Sequence, residues 1–209
     1  MDVSAADHRI TSVEQLEALY GQPKGGALFK EIDYISDHYR AFIEAAPFVV
    51  LASVGPEGLD TSPRGDPAGF VRVVDRHTVL IPDRRGNNRL DTLKNIVRDP
   101  RVALLFLIPG VGETLRINGR AELTTDPDLC ESFAINGKAP RSIIRVTAER
   151  VYFQCQKALV RSRLWDPAAQ VEHSTLPTAG TIIEALAPEP FDGKSYDENY
   201  PGYMKQVIY

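Results

Sequence analysis

Apolar and polar positions change their spacing several times along the chain. Up to residue 47 the apolar positions fall at helical intervals. SVEQLEALY (12–20) and SDHYRAFIEAA (36–46) each open on a serine suited to cap a helix, and each stops before Gly21 and Pro23 or before Pro47. From Phe48 the spacing is that of strands. FVVLASV (48–54) is a near-continuous apolar run, followed by the turn residues Gly55, Pro56, Glu57 and Gly58. Further β-type segments are predicted at 69–75, 77–81, 102–108, 113–123 and 142–155, with Pro109-Gly110-Val111-Gly112 as a hairpin connection. Helical spacing returns at 88–98, at 126–135, where Asp126 is placed to cap and Pro127 to take the first helical position, and at 156–164.

Six or so short strands joined mainly by tight turns predict a mainly β domain with peripheral helices, an antiparallel barrel rather than a βαβ fold. The boundaries expected are a helical arm over 1–30, a domain over 31–187 and a tail over 188–209. The tail places four tyrosines among charges and prolines. It is expected to pack as an irregular arm on the domain or on a partner subunit, disorder being the plainer alternative.

Composition narrows the chemistry. The chain has 209 residues, 43% of them apolar, enough for one domain with a real core. Its net charge of −4 gives no general attraction to nucleic acid or to an anionic membrane surface, so an anion site has to be a local basic cluster. Cys130 and Cys155 are too few for a disulfide framework. His8, His38, His77 and His173 are scattered, without the i, i+4 spacing of a helical metal site, so no metal is expected. The N-terminal ten residues include acidic ones and lack the apolar stretch of a secretory signal, and no apolar run approaches the roughly 20 residues that span a bilayer. The expected location is the cytoplasm.

Three local clusters stand out against this background. Between Pro82 and Arg89 a loop after a strand opens a helix, and it holds Asp83, Arg84, Arg85, Gly86, Asn87, Asn88 and Arg89. Free N–H groups and positive partial charge at a helix start favour an anion there, and arginine adds charge-assisted hydrogen bonds to phosphate oxygens. Asn87 or Asn88 could cap the helix. The plainer alternative is a capped surface helix with solvated arginines paired loosely to Asp83 and Asp91. The second cluster is Thr61-Ser62-Pro63-Arg64-Gly65-Asp66, in which Arg64 lies in an extended stretch; an ordinary edge-strand arginine is its plainer reading. The third cluster runs from Gln154 to Trp165. Lys157 and Arg161 share a helix face there, Ser162 follows, and Trp165, the sole tryptophan, could cover a ring or simply anchor the core.

In combination, the segments SPRGDPAGFVRVVD (62–75), LIPDRRGNNRLDTLKNI (80–96), DPRVALLFLIPGVGETLRINGRAEL (99–123) and VYFQCQKALVRSRLWDP (151–167) resemble the pyridoxamine 5′-phosphate oxidase-like, FMN-binding split-barrel superfamily. The specific branch resembled is the PPOX-type FMN-binding group, over roughly residues 30–170. The resemblance implies a six-stranded antiparallel split barrel that forms a homodimer, with FMN at the subunit interface. It implies that Arg64 reaches the flavin phosphate and that Pro82 and Asp83 line the flavin. Arg84, Asn88 and Arg89 would match the phosphate loop, and Lys157, Arg161, Ser162 and Trp165 would complete the cofactor site.

The activity implied is that of an oxidoreductase on an unknown small molecule. The Arg-Leu-His-Asp-Arg ending of true pyridoxamine phosphate oxidases is absent, the chain ending YMKQVIY, so vitamin B6 oxidation is not expected. The flavin would carry the redox chemistry, with Lys157 and Arg161 as candidates for positive charge near its N1 side. The competing expectations are a non-catalytic carrier or sensor of flavin or haem, a reductase using the deazaflavin F420, and an interaction module whose basic clusters are surface decoration.

Overall fold

The structure is a computed structural model that describes residues 8–209; residues 1–7, the start of the expected arm, lie outside the described residues. The chain separates into two compact units, Met1–Glu31 and Ile32–Tyr209. The first holds α1 (Val13–Tyr20), whose Ser12 hydroxyl accepts the N–H of Gln15, and the single turn α2 (Gly26–Phe29). Gly21 ends α1 at φ +72°, a left-handed conformation that glycine adopts without strain.

The second unit is the β domain. It begins with α3 (Asp37–Ala45), capped by Ser36 as its sequence predicts. Seven strands follow: β1 (Phe48–Gly55), β2 (Gly58–Gly65), β3 (Arg72–Val73), β4 (Thr78–Pro82), β5 (Arg101–Leu107), β6 (Thr114–Thr124) and β7 (Ile143–Gln154). They form one antiparallel sheet in the order β2-β1-β5-β6-β7-β4-β3, consistent with a split barrel. The count exceeds the expected six because β2 pairs along its whole length with β1, Phe48 opposite Gly65 and Gly55 opposite Gly58. Its polar sequence, GLDTSPRG, hid that strand: it lies at the sheet edge, where no apolar face is required. Conversely, the apolar stretch over 69–75 keeps only the two residues of β3 as strand.

Alternation on β1 and β5 sends Val49, Leu51, Leu104 and Phe106 inward, where they meet Leu115 and Ile117 of β6. All five residues of β4 are buried. Its Val79 and Ile81 belong to the main core, while Leu80 packs outside it with Cys130, Phe133 and Ile143. That second, smaller core is covered by α5 (Pro127–Ser132), which Asp126 caps by accepting the N–H of Leu129. Opposite Asn118 and Gly119 of β6, β7 carries one extra residue, Glu149, as a bulge. Only glycine fits at position 119, since a Cβ would stand 2.0 Å from the Thr147 carbonyl oxygen.

The helix α4 (Asp91–Arg98) lies against β1, joined to it by the buried hydrogen bond from Asn95 Nδ2 to Ser53 Oγ at 3.1 Å. α6 (Lys157–Ser162) follows the last strand. The tail departs most from expectation, because it is helical rather than irregular. α7 (Ala179–Leu186) pairs with α8 (Gly193–Val207), a helix of 15 residues that passes through Pro201. Two contacts hold the pair, and neither is visible as a periodic pattern. Gly180 and Gly193 meet so closely that a Cβ on either would lie within 2.5 Å of the other's carbonyl oxygen. The Asp197 carboxylate accepts the Gly180 N–H at 2.8 Å and the Thr178 hydroxyl. Among the described residues no helix is long and apolar enough to cross a membrane.

Candidate functional site

The end of β2, the loop after β4 and the start of α4 enclose a cleft of about 800 Å³. Strand alternation builds one wall: Asp60, Ser62 and Arg64 fall on the same, partly buried face of β2. The loop that leaves β4 at Pro82 builds the opposite wall. It turns sharply through Asn88 and Leu90, both at positive φ, before the helix begins at Asp91. The expected asparagine cap is therefore not formed. Leu90 occupies the cap position, with no side-chain acceptor for the first-turn N–H groups, and the Asn87 side-chain oxygen accepts the N–H of Arg89 instead.

Two short ion pairs tie the walls together in a crossed arrangement. Arg64 Nη1 donates to Asp83 Oδ1 at 2.6 Å, and Arg84 Nε donates to Asp66 Oδ2 at 2.6 Å. Residues 64 and 66 lie at the end of β2, at one edge of the sheet order, whereas 83 and 84 follow β4, near the other edge. The pairs thus bridge the opening between the two ends of the sheet. Arg84 also donates to the Phe133 carbonyl at 2.8 Å, and Arg72 holds the same turn through Ser132 while stacking on the Phe133 ring. Burial, and then the charge of Arg84, lower the pKa of Arg72.

Among the described residues, one buried side-chain polar atom lacks a hydrogen-bond partner, and its residue lines the cleft. That atom is Arg64 Nε. A buried donor without an acceptor costs about 1–3 kcal/mol, so this position suits a ligand oxygen. The surroundings match an anion. Six cationic side chains and three carboxylates line the cleft, in a chain whose overall net charge is −4. The uncapped first turn of α4 adds backbone donors and positive partial charge.

The ten residues singled out from sequence divide into two groups. Arg64, Pro82, Asp83, Arg84, Asn88 and Arg89 all line the cleft. Asp83 does so with its side chain committed to Arg64, and the exposed Arg89 pairs with Asp91 at 2.8 Å, which raises its pKa. Lys157, Arg161, Ser162 and Trp165 lie elsewhere in the single chain. The first three are exposed on α6, with the Ser162 hydroxyl bonded to the Leu159 carbonyl. Trp165 is half-buried and donates its indole N–H to the Val111 carbonyl at 2.8 Å, which anchors the segment after α6 to the β5–β6 turn.

Sequence reasoning missed Lys138 and Tyr209, and it placed Asp66 in the second cluster without giving it a role. Asp66 was accessible to it, since the period of two puts it on the face of Arg64. Tyr209 carried no such signal. Its hydroxyl donates to Asp66 at 2.7 Å, which raises its pKa, and its main-chain oxygen accepts from Lys138 Nζ at 2.6 Å.

Comparison with known proteins supplies a family. The family model described as pyridoxamine 5′-phosphate oxidase matches residues 35–155. No curated protein matches the sequence. Among solved structures, HupZ from Group A Streptococcus is 17% identical, with 56% of this chain and 91% of that one covered and a TM-score of 0.45. A putative pyridoxamine 5′-phosphate oxidase from Listeria innocua is 21% identical, covering 56% and 95%, with a TM-score of 0.43. An FAD-binding protein from Mesorhizobium loti is 16% identical, covering 57% and 94%, with a TM-score of 0.41.

Proposed function

The chain belongs to the pyridoxamine 5′-phosphate oxidase family, and from that premise we propose that it is an FMN-binding oxidoreductase whose cofactor phosphate sits in the cleft at Arg64. Family members typically bind a flavin. The observation that carries the reading is the buried Nε of Arg64, without a hydrogen-bond partner among the described residues, on a side chain that lines a locally cationic cleft. Asp83 holds the Arg64 guanidinium in place through Nη1 and leaves Nε for the phosphate, so the donor is positioned before binding. Arg84 is braced in the same way by Asp66 and the Phe133 carbonyl. Arg89 and Asn88 stand at the exposed rim, where Arg89 gives long-range attraction rather than a fixed contact.

Bound FMN would supply hydride or electron transfer, the protein supplying binding, orientation and charge. Lys157, Arg161, Ser162 and Trp165 do not line the cleft of their own chain. In this reading they act in the homodimer, where a second copy brings them to the cofactor. The substrate is a small molecule, and vitamin B6 oxidation is not part of the proposal.

An absorption spectrum of the purified protein, with mass analysis of the released cofactor, tests the reading directly. FMN is the expected product. Arg64→Ala removes a charge-assisted hydrogen bond worth about 1.5–3 kcal/mol, so FMN affinity is expected to fall roughly 10- to 100-fold. Protein that carries no flavin and binds no added FMN sinks the proposal. Release of haem, or preference for F420 in direct competition, replaces the cofactor with that one.

A further inference from the structure

A second cavity of about 1030 Å³ adjoins the cleft and shares with it the wall Arg85-Gly86-Asn87. Its other side is the aromatic face of α8. Tyr196, Tyr200 and Tyr203 recur at i, i+4 and i+7, and Phe191 extends the row from just before the helix. The rings form a ladder: Phe191 to Tyr196 at 5.7 Å, Tyr196 to Tyr200 stacked at 5.5 Å, and Tyr200 to Tyr203 at 6.3 Å.

An aromatic stripe at helical spacing ordinarily packs into a core. This one does not. Gly193 is the sole buried residue of α8, and Tyr200 and Tyr203 remain 41% and 53% exposed. The facing wall is a polar loop that contains a glycine, with no apolar element to close on the rings.

Arg85 decides the charge of the ligand. Arg84 and Arg89 on either side of it are engaged by carboxylates, whereas Arg85, exposed at the boundary of both cavities, has no hydrogen bond or ion pair among the described residues. The one carboxylate in the cavity lining, Asp192, is already used as the cap of α8, where it accepts the Ser195 N–H at 2.9 Å. Aromatic rings on one side and an unengaged guanidinium on the other define a recognisable chemistry. We infer that this cavity is a binding site for a flat aromatic molecule bearing an acidic group, its ring against the α8 ladder and its anion on Arg85. The site shares the Arg85-Gly86-Asn87 wall with the Arg64 cleft, and its aromatic wall on α8 belongs to it alone.

Calorimetric titration of the full chain with naphthalene-2-sulfonate, and with the neutral naphthalene-2-sulfonamide, tests this. The sulfonate is expected to bind once per chain and more tightly than the sulfonamide. Tyr200→Ala, at an exposed position, should weaken both at least tenfold. Arg85→Gln should weaken the sulfonate at least fivefold and leave the sulfonamide within twofold. FMN titrated into the Tyr200→Ala protein should bind as it does to the unaltered chain, because Tyr200 does not line the cleft. Absence of sulfonate binding overturns the inference, as does binding that Tyr200→Ala leaves unchanged. Displacement of FMN by the sulfonate that persists unchanged in Tyr200→Ala also overturns it, since it puts the aromatic acid in the cleft rather than on α8. Loss of FMN binding alone, with sulfonate binding intact, counts against the flavin reading and leaves this site standing.

Discussion

Arg64 shows how a single side chain can be held at one nitrogen and left without a partner at another. Its Nη1 bond to Asp83 leaves Nε buried without an acceptor, a cost that a ligand oxygen relieves. Other single residues give direct readouts. Asp99 accepts both the backbone N–H and the guanidinium of Arg101, which lowers its pKa to about 2. A carboxyl depressed in the folded state contributes stability above its ordinary value near 3.8 and loses it as the pH falls through about 2. The stability gap between the native chain and Asp99→Asn is therefore expected to be full at pH 5 and to close between about pH 4 and 2. Urea denaturation at pH 5 and pH 2 measures it, and an equal gap at both would refute the assignment. The two thiols should separate as cleanly. Cys155 is exposed, while Cys130 is buried and its pKa is raised by burial. At pH 8 a thiol reagent is expected to label one equivalent rapidly in the native protein and two after unfolding; fast reaction of both would contradict the buried position of Cys130.

Elements set where these side chains meet. β2 is polar and lies at the sheet edge, yet its alternation delivers Ser62 and Arg64 to the cleft, and Asp66 follows immediately. α4 was legible from its apolar spacing, but its start was not. Leu90 takes the cap position at φ +61°, a conformation that the surrounding loop imposes against ordinary residue preference. Helix α8 was the least legible element, for a definite reason: Pro201 and a polar composition argue against a helix in isolation. What stabilises it is tertiary, namely the Gly180–Gly193 approach and the Asp197 carboxylate at the start of α7. Gly193→Ala puts a Cβ 2.5 Å from the Gly180 carbonyl oxygen. It should loosen α8 at a cost of about 1–3 kcal/mol. Hydrogen exchange should accelerate over 193–207 while 101–107 stays protected; uniform protection would show that the close approach is dispensable.

At the scale of the molecule, the crossed pairs Arg64–Asp83 and Arg84–Asp66 connect the two ends of an open strand order. Asp66 is almost wholly buried and serves Arg84 and Tyr209 together. Asp66→Ala strands a half-buried guanidinium and a phenol, a loss of about 2–4 kcal/mol. A lowered denaturation midpoint and weaker FMN binding should appear together, and a variant as stable as the native chain would remove Asp66 from the account of closure. By itself the sequence determined the β character of the domain, the segments that become β1, β5 and β6, the caps at Ser36 and Asp126, and the basic loop, because each of these follows from local periodicity or from residue types close in sequence. It was also enough for a resemblance to the family to which the chain belongs. Tertiary structure alone decided which carboxylate each arginine meets, where Lys157, Arg161 and Trp165 lie, and that the tyrosine-rich tail is a helix facing an open cavity. These are pairings between residues far apart in the chain, set by the folding of the sheet, and no local pattern encodes them.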